Sequence, residues 1–96
     1  MKIINATFFI KEYKRDKFLA TVTPLIEATL LEEGCIGYHL YESFEEPNRF
    51  IMIENRKNQA AINAHNKNPL LLDLFNKLPT YSSKQPILTI STLEEK

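Results

Sequence analysis

His65 is the side chain of this sequence best placed to move a proton. It closes a short segment that reads as a helix from Asn58, four residues after Ala61 and three after Ile62, and so shares their inward face. An imidazole there serves as a base or hydrogen-bond donor near neutral pH. A histidine in the last helical turn can also do no more than meet the helix dipole, and spacing leaves both open. Asn5 breaks an otherwise apolar strand; if buried, its amide requires partners, which a pocket or a subunit interface would supply. Arg56 ends a strand just before the helix bearing His65, placed either to hold an anionic substrate or to form a surface ion pair with Glu54. His39 and Tyr41 share one strand face and either line the same cavity or simply pack. Cys35, beside Gly34, reads as a small buried filler, and Glu45-Glu46 as a solvated turn.

Other chemistries are absent from the pattern. There is no phosphate loop, dinucleotide glycine fingerprint, zinc-spaced Cys/His set or Ser-His-Asp order. Two glycines are too few for a nucleotide cradle, and two histidines and one cysteine, widely separated, make a poor metal set. Twelve Lys and Arg balance twelve Asp and Glu, so no net charge draws nucleic acid or an anionic membrane. No apolar run approaches the roughly 20 residues that span a bilayer. Asn5 and Lys11 interrupt the N-terminal segment, which reads as a strand and not as a signal peptide. A single cysteine forms no internal disulfide and fits a cytoplasmic protein.

The elements that must position these residues follow from periodicity. Ile3 to Ile10 is a strand whose faces are Ile3, Asn5, Thr7, Phe9 and Ile4, Ala6, Phe8, Ile10; both are apolar, so something covers each. Asp16 to Glu33 is helical, with Asp16 as N-cap and a stripe of Phe18, Val22, Ile26, Thr29 and Leu30. Pro24 should kink it, and Gly34 should close it in the left-handed conformation. Cys35 to Ser43 is a strand, with Ile36, Tyr38 and Leu40 on one face; after a turn at Glu45 to Asn48, Arg49 to Asn55 returns. Asn58 caps a helix to about His65. Asn68 and Pro69 start the next, with Leu71, Leu72, Phe75 and Leu78 as its stripe and Pro79 as its stop. Ile87 to Leu93 is the last strand, and Glu94-Glu95-Lys96 a solvated end.

The order is that of a split βαβ, ferredoxin-like α+β domain spanning residues 1–96: a four-stranded antiparallel sheet with helices on one face. A chain of 96 residues has a thin core, and a second copy packed sheet to sheet is the simplest cover for the other apolar face. The pattern therefore predicts a homodimer.

The stretch Glu33-Gly34-Cys35-Ile36-Gly37-Tyr38-His39-Leu40 resembles the Glu-Pro-Gly-Cys segment of the antibiotic-biosynthesis-monooxygenase (ABM) family, the dimeric α/β-barrel monooxygenases. Glu46-Pro47-Asn48-Arg49-Phe50, Glu54, Ala60-Ala61 and His65 continue the resemblance through the family's Pro-Asn-Arg-Phe turn, its Glu-x-Trp strand end and its helix histidine. It covers nearly the whole chain. It implies two subunits closing a barrel, each with a pocket between sheet and helices, and oxidation of a quinol or polyphenol by O2 without flavin or metal. Asn5 and His65 fall at the family's strand-one asparagine and helix histidine. Arg56 stands where the family has tryptophan, and a second histidine is replaced within Asn68-Pro69-Leu70-Leu71. Both departures count against the family's haem-degrading branch.

The resulting expectation is a cofactor-independent monooxygenase acting on a small quinol-like aromatic. His65 would be the base, Asn5 and Arg56 would orient or stabilise the anion, and Phe9, Ile36, Ile62, Leu71 and Phe75 would line the pocket. The alternatives are an isomerase or haem-degrading enzyme of the same fold, or a non-catalytic small-ligand or stress-response dimer.

Overall fold

The computed structural model describes residues 1–93, so the expected solvated end lies outside the described residues. Four strands, β1 (Lys2–Ile10), β2 (Cys35–Glu42), β3 (Arg49–Arg56) and β4 (Ser82–Thr92), form one antiparallel sheet in the order β2-β3-β1-β4. Helices α1 (Arg15–Leu30), α2 (Gln59–His65) and α3 (Pro69–Tyr81) connect them. Each helical connection skips a strand, which is the interleaved split βαβ arrangement of a ferredoxin-like α+β fold. Among the described residues no helix is long and apolar enough to cross a membrane.

The alternation of β1 divides it as its sequence requires. Ile4, Ala6, Phe8 and Ile10 are buried under the helices, while Ile3, Asn5, Thr7 and Phe9 stay half-buried on the open face. The core beneath α1 is built on Phe18, whose ring lies 5.6 Å from that of Phe8 and 5.0 Å from that of Phe50 in tilted contacts.

Several helical details differ from expectation. Asp16 is not the N-cap of α1: a 3-10 turn, Glu12–Lys14, leads straight in, and Lys14 in the cap position makes no side-chain hydrogen bond. The helix passes through Pro24 as one element. The buried positions Phe18, Val22, Leu25 and Thr29 hold it on the sheet from both sides of the proline, and Leu25 replaces Leu30 in the expected stripe. In α3 the buried stripe is Leu71, Leu74, Leu78 and Tyr81, turned one position from expectation, leaving Leu72 and Phe75 about half exposed. Pro79 does not end α3; the helix runs two residues further because buried Leu78 and Tyr81 anchor that turn. β4 begins five residues before the expected Ile87, at Ser82. Pro86 is tolerated within it because β4 is an edge strand.

The turns that set the helices in place behave as their residues dictate. Gly34 adopts φ +83°, and a Cβ there would stand 2.6 Å from Cβ of Ala61, so glycine is needed for both backbone and space. Its carbonyl accepts from Lys57 N–H at 2.8 Å, tying the end of α1 to the approach to α2. Asn58 caps α2 by accepting from Ala61 N–H at 3.0 Å, and Asn68 caps α3 by accepting from Leu70 N–H at 2.9 Å.

Candidate functional site

Alternation along β3 places Phe50, Met52, Glu54 and Arg56 on the helix-covered face. The first two are core. The last two bring a carboxylate and a guanidinium into a place where unpaired charge is costly, and the surrounding turns answer both. Arg56, with no exposed surface, donates to Glu32 Oε1 at 3.1 Å and to Glu54 Oε1 at 3.3 Å. Glu32, in the turn that Gly34 closes, also accepts from Asn68 Nδ2 at 3.1 Å. Asn68 thus caps α3 with its oxygen and grips Glu32 with its nitrogen.

His65 enters this cluster from the last turn of α2. Its Nδ1 lies 2.9 Å from Glu32 Oε1 and its Nε2 lies 3.7 Å from Glu54 Oε1. A carboxylate accepts and does not donate, so the Glu32 contact places the ring proton on Nδ1 and leaves a lone pair on Nε2. Nε2 is buried and has no hydrogen-bond partner among the described residues. The Tyr38 ring meets His65 edge-on at 5.4 Å and takes the Arg56 guanidinium over its face at 5.6 Å.

Burial and the neighbouring Arg56 charge hold the His65 imidazole below its ordinary value, against the pull of Glu32, so it is neutral at pH 7. Burial also raises the Glu54 carboxyl above its usual range, against Arg56. Glu32 feels the same burial, but the hydrogen bonds from Asn68, His65 and Arg56 outweigh it and leave the carboxyl below its usual range. Burial pushes the Tyr38 phenol well up, keeping it protonated.

Tyr38, Glu54, His65 and Asn66 are the polar residues lining a cavity of about 80 Å³ whose other walls include Ile62, Leu71, Leu74 and Phe75. Its outer side is formed by Leu88 and Ile90 of β4, which are more than half exposed. The volume is about half that of a cavity known to take benzene, roughly 150 Å³, so an aromatic ring would seat partly in the mouth, between Phe75 and β4.

The structure brings His65, Ile62, Leu71 and Phe75 together and sets the other expected residues apart. Asn5 and Phe9 lie on the opposite sheet face, because odd positions of β1 point away from the helices. Ile36 is 59% exposed: the register slips between Cys35 and Gly37, which turns Ile36 outward although Tyr38 and Leu40 keep the core face. His39 and Tyr41 sit on the open face too, paired in register with Ile53 and Ile51. Arg56 is next to His65 but does not line the cavity; both carboxylates engage it from behind. Its guanidinium is taken up by Glu32 and Glu54 and is not part of the cavity lining. Its ion pair with Glu54 is a buried one and not the surface pair expected.

Sequence reading missed Glu32, Glu54 and Asn68 as site residues. A usable signal existed for Glu54: residues 50, 52, 54 and 56 share a face, and two charged positions following two apolar ones imply further buried partners. Haem does not fit this site. A cavity of about 80 Å³ is far too small for a porphyrin, and Nε2 of His65 lies 3.7 Å from Glu54 Oε1.

Comparison with known proteins agrees with the fold. The model of the family described as antibiotic biosynthesis monooxygenase matches residues 1–77. A Bacillus subtilis (strain 168) protein with the name "Putative monooxygenase YcnE" is 36% identical over 67 residues, 70% of this chain and 70% of its own length. The Synechocystis sp. protein sll1783 is 29% identical over 93 residues, 97% of this chain, and the chain spans 63% of that protein's length. The crystal structure of a conserved protein from Methanosarcina mazei Go1 matches with a TM-score of 0.91 at 28% identity, covering 97% of this chain and 92% of that one. With a family match over most of its length and a fold to accord with it, this chain belongs to the antibiotic biosynthesis monooxygenase family.

Proposed function

We propose that the protein is a cofactor-independent monooxygenase that oxidises a quinol or polyphenol with O2, with His65 as the base. The observation that carries this reading is a neutral His65 on the cavity wall, with its Nδ1 anchored on Glu32 and its Nε2 unpartnered. O2 is a triplet and reacts slowly with closed-shell organic molecules, whereas an electron-rich phenolate can pass it one electron directly. A protein that removes the phenolic proton in a dry pocket therefore supplies most of what the reaction requires. The imidazolium formed would rest on the Glu32 carboxylate at Nδ1, which stabilises it as the phenolate appears. A quinol then takes up one oxygen atom to become a hydroxyquinone while the other leaves as water, the substrate supplying all four electrons. Asn5 has no part in this cavity.

The same reading includes a homodimer in the reducing cytoplasm. Ile3, Phe9, Ile51, Ile53 and Ile87 give the open sheet face an apolar stripe that a second sheet would cover. Asn5, paired in register with Ile53, would then be an interface amide.

The test is O2 uptake over a panel of hydroquinones, with product oxygen followed by ¹⁸O2 labelling. His65→Ala should lower turnover by about 10²–10⁴-fold. In the wild type the acid limb of kcat/KM should fall below about pH 6.5, because His65 titrates below its ordinary value. Unchanged turnover in His65→Ala would remove the residue from the mechanism. The small cavity favours one other reading, a non-catalytic ligand-binding dimer; ligand binding without label incorporation by the wild type would select it.

A further inference from the structure

We propose that Glu54 is the second catalytic residue of this cavity, a general acid that protonates the peroxide oxygen after His65 has taken the phenol proton. The proposal rests on the phenol-oxidising reading above. It begins from a count of charge. Glu32 accepts from three donors, Asn68, His65 and Arg56, and so is a carboxylate. Arg56 carries one positive charge and touches both Glu32 and Glu54. One guanidinium balances one carboxylate; with Glu54 also ionised and His65 neutral, a buried wall would hold an uncompensated negative charge. One proton shared between Glu54 and His65 removes it, and Glu54 Oε1 stands 3.7 Å from Nε2 with both groups on the cavity.

The groups facing this pair are Glu32 from the turn after α1, Tyr38 and Cys35 from β2, and Arg56 from β3. Tyr38 and Cys35 both stay protonated at neutral pH, their values raised by burial. Burial disfavours the charged form of both Glu54 and His65, which favours the shared proton on Glu54 and the lone pair on His65. A base and an acid then stand side by side on one wall, the arrangement monooxygenation needs, because it both removes and delivers a proton.

The steps balance. The phenol gives its proton to Nε2 of His65. O2 takes one electron from the phenolate, and the two radicals join at a ring carbon as a C–O–O⁻ peroxide. Glu54 donates its proton to the terminal oxygen. As the C=O bond forms, the ring C–H proton passes to the Glu54 carboxylate and the O–O bond breaks. The departing hydroxide takes the proton from the His65 imidazolium and leaves as water. The quinol and O2 become a hydroxyquinone and water, and both residues return to their starting states.

Glu54→Gln still accepts from Arg56 but has no proton to give. Wild-type kcat/KM should be bell-shaped in pH, its limbs belonging to the pair. In Glu54→Gln the alkaline limb should vanish, turnover should fall by about 10²–10³-fold, and O2 consumed should appear partly as H2O2. A Glu54→Gln protein within about threefold of wild type, with the same alkaline limb, overturns the proposal. A second measurement needs neither turnover nor a variant: ¹³C NMR of the Glu54 carboxyl in the wild-type protein. Retention of its proton above about pH 6 supports the acid role, and titration at or below the ordinary value near 4.5 overturns it. If the wild type consumes no O2 with any hydroquinone, the phenol-oxidising reading fails separately, and the carboxyl titration still decides where the proton resides.

Discussion

Arg56 is the largest side chain with no exposed surface, and its single charge sets the balance of the whole polar wall. Its removal is more damaging than its contacts suggest, because two carboxyls are left behind. Arg56→Met should destabilise the fold by roughly 3–5 kcal/mol at pH 7, the cost of stranding buried charge. The effect should shrink as pH falls. Burial already raises Glu54, Arg56 opposes that rise, and without Arg56 the value climbs further. A carboxyl whose folded value lies above its unfolded one stabilises at low pH and loses that contribution as pH rises through the folded value. Urea unfolding at pH 5 and pH 7 checks both points, and an equal loss at the two pH values would contradict the buried-charge account. His65 was legible in sequence because a helix-end histidine three and four residues after Ile62 and Ala61 shares their face. Glu32 was not, because its role depends on a turn, two strands and a helix cap meeting at one point.

At the scale of elements, Gly34 is the joint on which the site depends. It lets α1 end with Glu32 facing inward, and it lets α2 come close enough to bring His65 to that carboxylate. Gly34→Ala faces both a left-handed backbone and a 2.6 Å approach to Cβ of Ala61. A loss of about 2–4 kcal/mol follows from those two costs together, measurable by urea unfolding. The displaced α2 should also raise the value at which His65 titrates by admitting water, which ¹H NMR of the imidazole would read. A substitution tolerated within about 0.5 kcal/mol would show that α2 has slack at this joint. Caps at Asn58 and Asn68, the Pro69 start and the closing role of Gly34 were all readable, since each is a local rule. The extension of α3 through Pro79, the early start of β4 and the outward turn of Ile36 were not. They are set by what Leu78 and Tyr81 pack on and by the register of a neighbouring strand.

The molecule as a whole has one face closed by helices and one face open. On the open face, rows such as Tyr41–Ile51–Thr7–Ile87 and His39–Ile53–Asn5–Thr89 run across all four strands. A second copy on that face accounts for the apolar residues in them. Ile53→Lys places a charge at the centre of the stripe while leaving the helix-side cavity untouched. Wild type should sediment as a dimer at about 10 μM and the variant as a monomer, since a buried unpaired charge costs several kcal/mol. A wild-type monomer with a normal unfolding transition would remove the sheet-to-sheet pairing from the account.

The sequence by itself determined the element order, the two faces of β1, the caps at Asn58 and Asn68 and the inward position of His65, because periodicity and capping are properties of neighbouring residues. Tertiary structure alone decided which face of the sheet the helices cover. With that choice Asn5 and Phe9 left the site, Glu54 entered it, and Arg56 changed from an expected substrate contact to the charge that meets two carboxyl groups. A two-faced strand carries no local mark of which side will be dry; that depends on where the connecting helices come down.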